Sequence, residues 1–300
     1  MDQLKLTTLA LIATVFWGLS DTFFKKSTDS KDRHSHLRIL FIIGLFMGLQ
    51  AAFELYKLVS NGGTYSLETI WIYIPISFLY ILSMGVDFFG YRYLRISVGS
   101  PIASTSGAMA GILSWILLKN EMTPVKLLAI LMIGSGLVMM AYLEQKDQEK
   151  GTLGKNEIIK LGASALIFPI TYAIVDAVAT FLDEHYMTSI MSPEEALISF
   201  ELTFFLVGIL AIFYMKVIKK DKRKVFSVPL TLGGLAETAG QVFYVFALSG
   251  DGVVTAPIMS LDGVVASVLG VIFLREKLNK KQYLTIAFIG LGVFLLGFYE

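Results

Sequence analysis

Ten long apolar stretches alternate with short polar segments along the chain. They cover residues 5–25, 37–58, 69–92, 97–118, 124–144, 159–181, 195–217, 227–248, 253–274 and 280–299. A bilayer core about 30 Å thick requires roughly 20 apolar residues per helix, and each stretch meets that length. The runs are continuous, whereas strands of a membrane barrel are short and alternate in polarity. The pattern therefore predicts an all-α integral membrane protein of ten transmembrane helices. The longest connections are expected at 26–36, 59–68, 145–158 and 182–194. The first stretch runs from Leu6 through Leu19 into Asp21 and Lys25-Lys26 with no small-residue cleavage site, so it reads as a span rather than a leader.

The basic residues order these spans. The segments after spans 1, 3, 5, 7 and 9 hold 21 of the 25 Lys and Arg residues; Lys5, Lys57, Lys119 and Lys126 are the remainder. The positive-inside bias then assigns loops 26–36, 92–96, 145–158, 217–226 and 275–281 to the cytoplasm and both termini to the outside. A prokaryotic plasma membrane is the expected location. Asp183, Glu184, Glu194, Glu195 and Asp251 are expected in the opposite, acidic loops.

The chain also repeats itself. At an offset of 156 residues, Pro101-Ile102 falls on Pro257-Ile258, Ser104 on Ser260, Gly107 on Gly263, and Gly134 and Gly136 on Gly290 and Gly292. Glu144 falls likewise on Glu300. A weaker echo opens each half: Trp17 precedes Asp21 by four residues, and Tyr172 precedes Asp176 by four, which puts an aromatic and an acid on one helical face. Residues 1–150 and 151–300 then form two units of five spans each. An odd number of spans makes the second unit enter the membrane from the other side, giving two inverted five-helix repeats with a site expected where they meet.

These residues carry a resemblance. Phe16-Trp17-Gly18 with Lys25-Lys26 after it, the Pro-initiated fourth and ninth spans ending in Glu121 and Glu276, and the Gly-x-Gly pairs of spans 5 and 10 resemble the drug/metabolite transporter superfamily, specifically its EamA-type ten-helix carriers. The resemblance covers essentially the whole chain and implies transport of a metabolite without naming it. Members export amino acids and other metabolites or import sugars or choline. It also implies cytoplasmic termini, against the basic-residue count of this chain.

Six carboxylates interrupt apolar spans: Asp21, Asp87, Asp176, Glu201, Glu237 and Asp262. An ionisable group there costs at least about 2.5 kcal/mol, so each is a candidate for substrate binding or proton coupling. Glu237 has Gly233, Gly234 and Gly240 around it, so close backbone approach or local unwinding is expected there, and Asp262 lies between Pro257 and Gly263, so an irregular helix is expected. Asp87 lies among Tyr80, Met84 and Tyr91 at helical spacing, and a structural hydrogen bond is the competing reading. Asp176 and Glu201 sit closer to a membrane face, and Asp21 has Lys25 one turn on as an interfacial partner.

Six acids cannot all be ionised together in low dielectric, so some are expected to hold protons at neutral pH. Trp17, Tyr80, Tyr91, Tyr172, Phe243 and Tyr244 recur on the acid-bearing helices, and a ring beside a carboxylate suits an ammonium group. Gln241 and Thr238 accompany Glu237 as uncharged polar groups, and Ser100, Ser104, Thr105 and Ser106 open the fourth span. The expected activity is secondary active transport of a small polar, cationic metabolite by alternating access, coupled to protons. Export of amino acids or other neutral or zwitterionic metabolites is the alternative, with a channel or an intramembrane enzyme as a remote one. Protons and membrane lipids are the other expected partners, with a homodimer left open.

Composition agrees with the membrane assignment: apolar residues make up 55% of 300, mean hydropathy is +0.68, and charged residues are 16%, where a soluble chain carries about 25%. The absence of cysteine removes disulfides and thiolate metal sites. His34, His36 and His185 read as solvated loop residues without a second ligand cluster. Phosphate-binding loops and the Gly-x-Ser-x-Gly and His-Glu-x-x-His motifs are missing from the sequence. An enzyme, a bound cofactor, a metal centre and a nucleic-acid partner are therefore not expected.

Overall fold

The computed structural model describes residues 3–29, 31–94, 96–149, 162–274 and 279–298. Twelve α-helices occupy them: α1 (Gln3–Ser27), α2 (Ser35–Ser60), α3 (Glu68–Gly90), α4 (Ile96–Ala103), α5 (Thr105–Leu118), α6 (Pro124–Glu149), α7 (Ile167–Ser189), α8 (Pro193–Phe213), α9 (Val228–Leu248), α10 (Gly252–Met259), α11 (Asp262–Phe273) and α12 (Lys280–Phe298). A short 3-10 turn precedes α7 and a π turn extends α8. No strand occurs among the described residues. Arg95, Lys150, Lys155, Lys160, Arg275, Glu276, Lys277 and Glu300 lie outside those residues, as does the expected boundary between the halves at 150/151.

Seven segments among the described residues are long and apolar enough to cross a membrane. Their outward faces are apolar: Trp71 is 75% and Leu210 65% exposed. The interior, by contrast, holds Asp87, Asp183, Glu201 and Glu237. That arrangement, apolar outside and polar within, is what a lipid-embedded bundle with a polar centre requires.

Three expectations change. The fourth and ninth stretches are not single helices. Each is broken, α4 from α5 at Ser104 and α10 from α11 at Ser260-Leu261. The two short helices have matching bounds at the 156-residue offset, Ile96–Ala103 and Gly252–Met259, and each contains a proline, Pro101 or Pro257, which withdraws an amide from the helical ladder.

The sixth span is also displaced. The expected 159–181 becomes α7 over Ile167–Ser189, so Asp183 and Glu184 are helical and buried rather than in a loop. The helix continues through them because tertiary partners satisfy both carboxylates. The connection shrinks to residues 190–192, since Ser192 caps α8 with Pro193 at its first position and Glu195 reaching back in a capping box.

The histidines are the third change. His34 Nδ1 lies 3.3 Å from Asp221 Oδ2, His36 packs edge-on at 5.2 Å from Phe89, and His185 belongs to α7 with its Nδ1 buried. Sequence spacing shows none of these neighbours, because they come from other elements.

The helices pair in a regular way: α1 packs on α9, α3 on α7, α2 on α8, α6 on α12, α5 on α10 and α4 on α11. At the crossing of the broken helices, a Cβ on Gly107 would fall within 3.0 Å of Ser260 Oγ and Ala256 O, and one on Gly263 within 3.0 Å of Ser104 Oγ and Ser100 O. These two sets of contacts coincide under the 156-residue shift.

One polar cluster lies outside the bundle interior. It ties the loop after α1 to the segment after α8. Arg38 contacts Asp221 at 2.9 Å and also meets Asp32, while Arg223 reaches Asp32 at 3.3 Å. Asp32, His34 and Asp221 are close enough to hold a metal ion, but the two guanidinium groups already supply the positive charge there. Burial alone would raise the Asp221 carboxyl. The Arg223 backbone N–H, the Arg38 guanidinium and His34 outweigh it and hold the group well below the usual carboxylate range. A depressed folded-state value contributes stability that is complete above about 3.9, the ordinary aspartate value, and is lost as pH falls further. The thermal midpoint of the detergent-solubilised protein should therefore drop on acidification below about pH 4, and Asp221→Asn should flatten that part of the curve.

Candidate functional site

A cavity lies between helices of both sequence halves. From the first half come Trp17 and Asp21 of α1, Tyr80 and Asp87 of α3, and the serines and Gly107 around the α4–α5 break. From the second half come Tyr172, Asp176 and Thr180 of α7, Phe200 of α8, Glu237, Gln241 and Tyr244 of α9, and Asp262 at the start of α11. Helical period accounts for the local order. Tyr172, Asp176 and Thr180 are four residues apart, as are Trp17 and Asp21, so each set faces one side of its helix.

The structure brings ten of the twelve sequence candidates to this cavity: Trp17, Asp21, Tyr80, Asp87, Tyr172, Asp176, Glu237, Gln241, Tyr244 and Asp262. Tyr91 lies behind the wall and donates its hydroxyl to Asp21 Oδ1 at 2.6 Å. Glu201 lies elsewhere. It is fully buried on α8, within electrostatic reach of Glu54 of α2, and neither of its oxygens has a hydrogen-bond partner among the described residues.

The carboxylates are held by neutral donors. Asp21 also accepts from Ser100 at 2.8 Å, and Asp262 accepts from Ser104 at 2.6 Å and from the Gly263 N–H at 2.7 Å. Ser106 and Tyr172 bond to Asp176. Lys25, the expected interfacial partner of Asp21, donates to the carbonyls of Tyr91 and Leu94 at 2.5 and 2.7 Å. No Lys, Arg or His is among the described residues lining the cavity. Five carboxylates therefore meet in one space with hydroxyls and amides as their partners there.

Aromatic rings complete the lining. The Trp17 and Tyr244 rings lie 5.0 Å apart, Tyr80 and Phe200 5.7 Å, and Tyr80 and Tyr244 6.3 Å. Two buried donors of the lining, Trp17 Nε1 and Gln241 Nε2, have no hydrogen-bond partner among the described residues. Sequence reasoning missed Thr180 and the buried Asp183 beside it. Their signal was present, because they follow Asp176 by four and seven residues on the same helical face. Ending the helix at residue 181 concealed it.

Comparison with known proteins agrees with this architecture. The EamA-like transporter family matches residues 5–142 and 163–298. A Sinorhizobium sp. protein described as an uncharacterized transporter in the cobO 3' region is 44% identical over 68 residues, 22% of this chain. The chain spans about half of that relative, 48% of its length. A solved crystal structure matches with a TM-score of 0.67 over 98% of this chain and 99% of its own, at 15% identity, a likeness of fold. Chain-wide agreement with one family, on a multi-pass helical bundle with its polar groups turned inward, places this integral membrane protein in the EamA-like transporter family.

Proposed function

We propose that the protein is a secondary transporter of a small organic cation, proton-coupled and working by alternating access, with the acidic cavity as its binding site. The observation that carries this reading is the meeting of Asp21, Asp87, Asp176, Glu237 and Asp262 in a space where no basic side chain is found among the described lining residues. Ionised together, these groups repel one another in low dielectric; a bound cation or a set of protons relieves that repulsion. Competition between the two for the same carboxylates is the physical basis of coupled exchange.

The architecture that goes with it is ten spans in two inverted five-helix repeats, residues 1–150 and 151–300. Supporting it are the two family-matched segments, the equal bounds of α4 and α10, and the crossings of Gly107 and Gly263 that exchange under the 156-residue shift. Packing of α1 on α9 corresponds to packing of α7 on α3 under the same operation. The basic segments between spans favour cytoplasmic loops and external termini in a prokaryotic plasma membrane. A homodimer is compatible with this arrangement and is not required by it.

Trp17 Nε1 and Gln241 Nε2 favour a ligand that carries a hydrogen-bond acceptor as well as its charge. A hydroxyl or carbonyl on an amine provides one. The carboxylate of an amino acid also would, and this supports a zwitterion as the second reading.

Thermal denaturation of the purified protein separates these readings. A ligand that binds the folded state raises its midpoint according to RT ln(1 + [L]/Kd). Ethanolamine and choline should stabilise more than glucose or acetate, and more at pH 8 than at pH 5, because the carboxylates must be free of protons. Stabilisation by amino acids but not by amines selects the zwitterion; stabilisation by anions alone removes the cation reading.

A further inference from the structure

Beyond the cavity wall, α7 continues for one turn into a second carboxylate centre. Asp183 is fully buried. Tyr73 of α3 donates to its Oδ1 at 2.5 Å, and Tyr244 of α9 and Tyr80 of α3 donate to its Oδ2 at 3.2 and 3.3 Å. The Tyr80 and Tyr244 hydroxyls also meet each other, and Tyr80 reaches Thr180 Oγ1 at 3.1 Å. Tyr80, Thr180 and Tyr244 line the cavity, whereas Tyr73 and Asp183 do not. Three helices from the two sequence halves thus converge on one carboxyl group immediately outside the proposed substrate space.

Its neighbour Glu184 extends the seal. It accepts from Ser114 of α5, from Asn120 Nδ2 at 2.7 Å and from the Gly252 N–H at the start of α10 at 3.0 Å. A Cβ on Gly252 would fall within 3.0 Å of this carboxylate. The C-terminal half of α7 is therefore bonded to α3, α5, α9 and α10 through two adjacent acids.

We propose that Asp183 is the latch that closes the cavity at the end where α7 terminates, and that the protonation state of its carboxyl sets whether this end can open. The inference rests on the alternating-access reading above. An ionised carboxylate has acceptor sites for all three phenols, and bonds to a charged acceptor are stronger than neutral ones. A protonated carboxyl loses its charge and turns one oxygen into a donor, so the three phenols no longer have equal partners. For the cavity to open here, Tyr80 and Tyr244 must separate from each other and from α7.

The titratable groups around the latch are Tyr73 and Tyr80 on α3, Tyr244 on α9, and Asp176, Glu184 and His185 on α7 itself. Asp251 faces Glu184 from the start of α10 and carries Lys126 at 3.4 Å. Each ion pair among the described residues lies apart from Asp183. Its closest partners are therefore phenols, which can follow its proton.

The chain has no native cysteine, so single cysteines can be placed without background. Met84→Cys reports on the cavity and Asn61→Cys on the exposed end of α2 at the same face. The reading is the labelling ratio of the two by an impermeant maleimide in sealed vesicles, sorted by orientation. Asp183→Asn should raise that ratio from this face by at least about fivefold, since it weakens several hydrogen bonds together. The ratio of the parent should rise as pH falls from 8 to 5, and that response should be absent in Asp183→Asn.

If Asp183→Asn does not fold, Tyr73→Phe, outside the cavity wall, should give a smaller rise of the same sign. Should the folded variants label like the parent at every pH while choline still shifts labelling between the two faces, the latch is wrong and alternating access stands. Should neither variants, pH nor choline change labelling on either face, the alternating-access reading fails with it.

Discussion

Exchange of Glu237 for glutamine or of Asp262 for asparagine should lower the rate of transport at limiting substrate by at least about thirtyfold, the loss that corresponds to about 2 kcal/mol for one partner of a buried charge pair. Both groups line the cavity. Glu237 lies on α9 between Gly233 and Gly240, whose missing Cβ atoms admit Phe24 and Trp17 against the helix. Asp262 opens α11 after a helix break and is oriented by Ser104 and the Gly263 N–H. The shape of each side chain survives the exchange while its charge does not, so the effect reports on electrostatics rather than packing.

Glu201→Gln is the discriminating control. Glu201 was a candidate on the same sequence grounds, but it faces away from the cavity and should leave substrate affinity within about threefold, well below the cost of removing a direct charge partner. Equal losses in all three variants would mean that membrane acids act on folding and not on the ligand. Uptake into proteoliposomes at several substrate concentrations, with circular dichroism to verify the helices, decides between these outcomes.

The second large effect concerns packing. Gly107→Ala and Gly263→Ala each lower the thermal midpoint and the yield of monodisperse protein, by about 1–3 kcal/mol of stability per substitution. The added methyl group meets Ala256 O in the first case and Ser100 O, at 2.8 Å, in the second. Both obstacles are backbone carbonyls, which cannot rotate away as a side-chain end can. Small residues at such crossings let helices approach where lipid offers no hydrophobic drive for association. Gly290 supplies the contrast, because a Cβ there meets nothing within 4 Å. Gly290→Ala should keep or raise the midpoint, since alanine favours a helix interior by about 0.8–1.0 kcal/mol over glycine. Size-exclusion profiles and thermal melts in one detergent are sufficient to compare the three.

Much of this protein is determined by the sequence itself. Continuous apolar runs of about 20 residues leave helices as the solution in lipid, because each backbone amide must be bonded within its own segment. The 156-residue offset identifies in advance the prolines of the two short helices and the glycines of their crossing. Spacing alone places Trp17 with Asp21, and Tyr172 with Asp176, on shared faces. The family resemblance rests on the same residues, and the chain-wide family match bears it out.

Tertiary structure decides what period and hydropathy cannot. Asp21 looks interfacial by sequence beside Lys25, yet it lines the cavity, because Lys25 is drawn to carbonyls at the end of α3 and Ser100 comes from a distant helix. Glu201 and Glu237 both interrupt apolar spans, and it is the placement of their helices in the bundle that puts Glu237 in the cavity lining and Glu201 outside it. Asp183 reads as a loop acid because a carboxylate normally ends an apolar span. Three phenols from two other helices let it remain in the membrane, where they replace water as its hydrogen-bond donors.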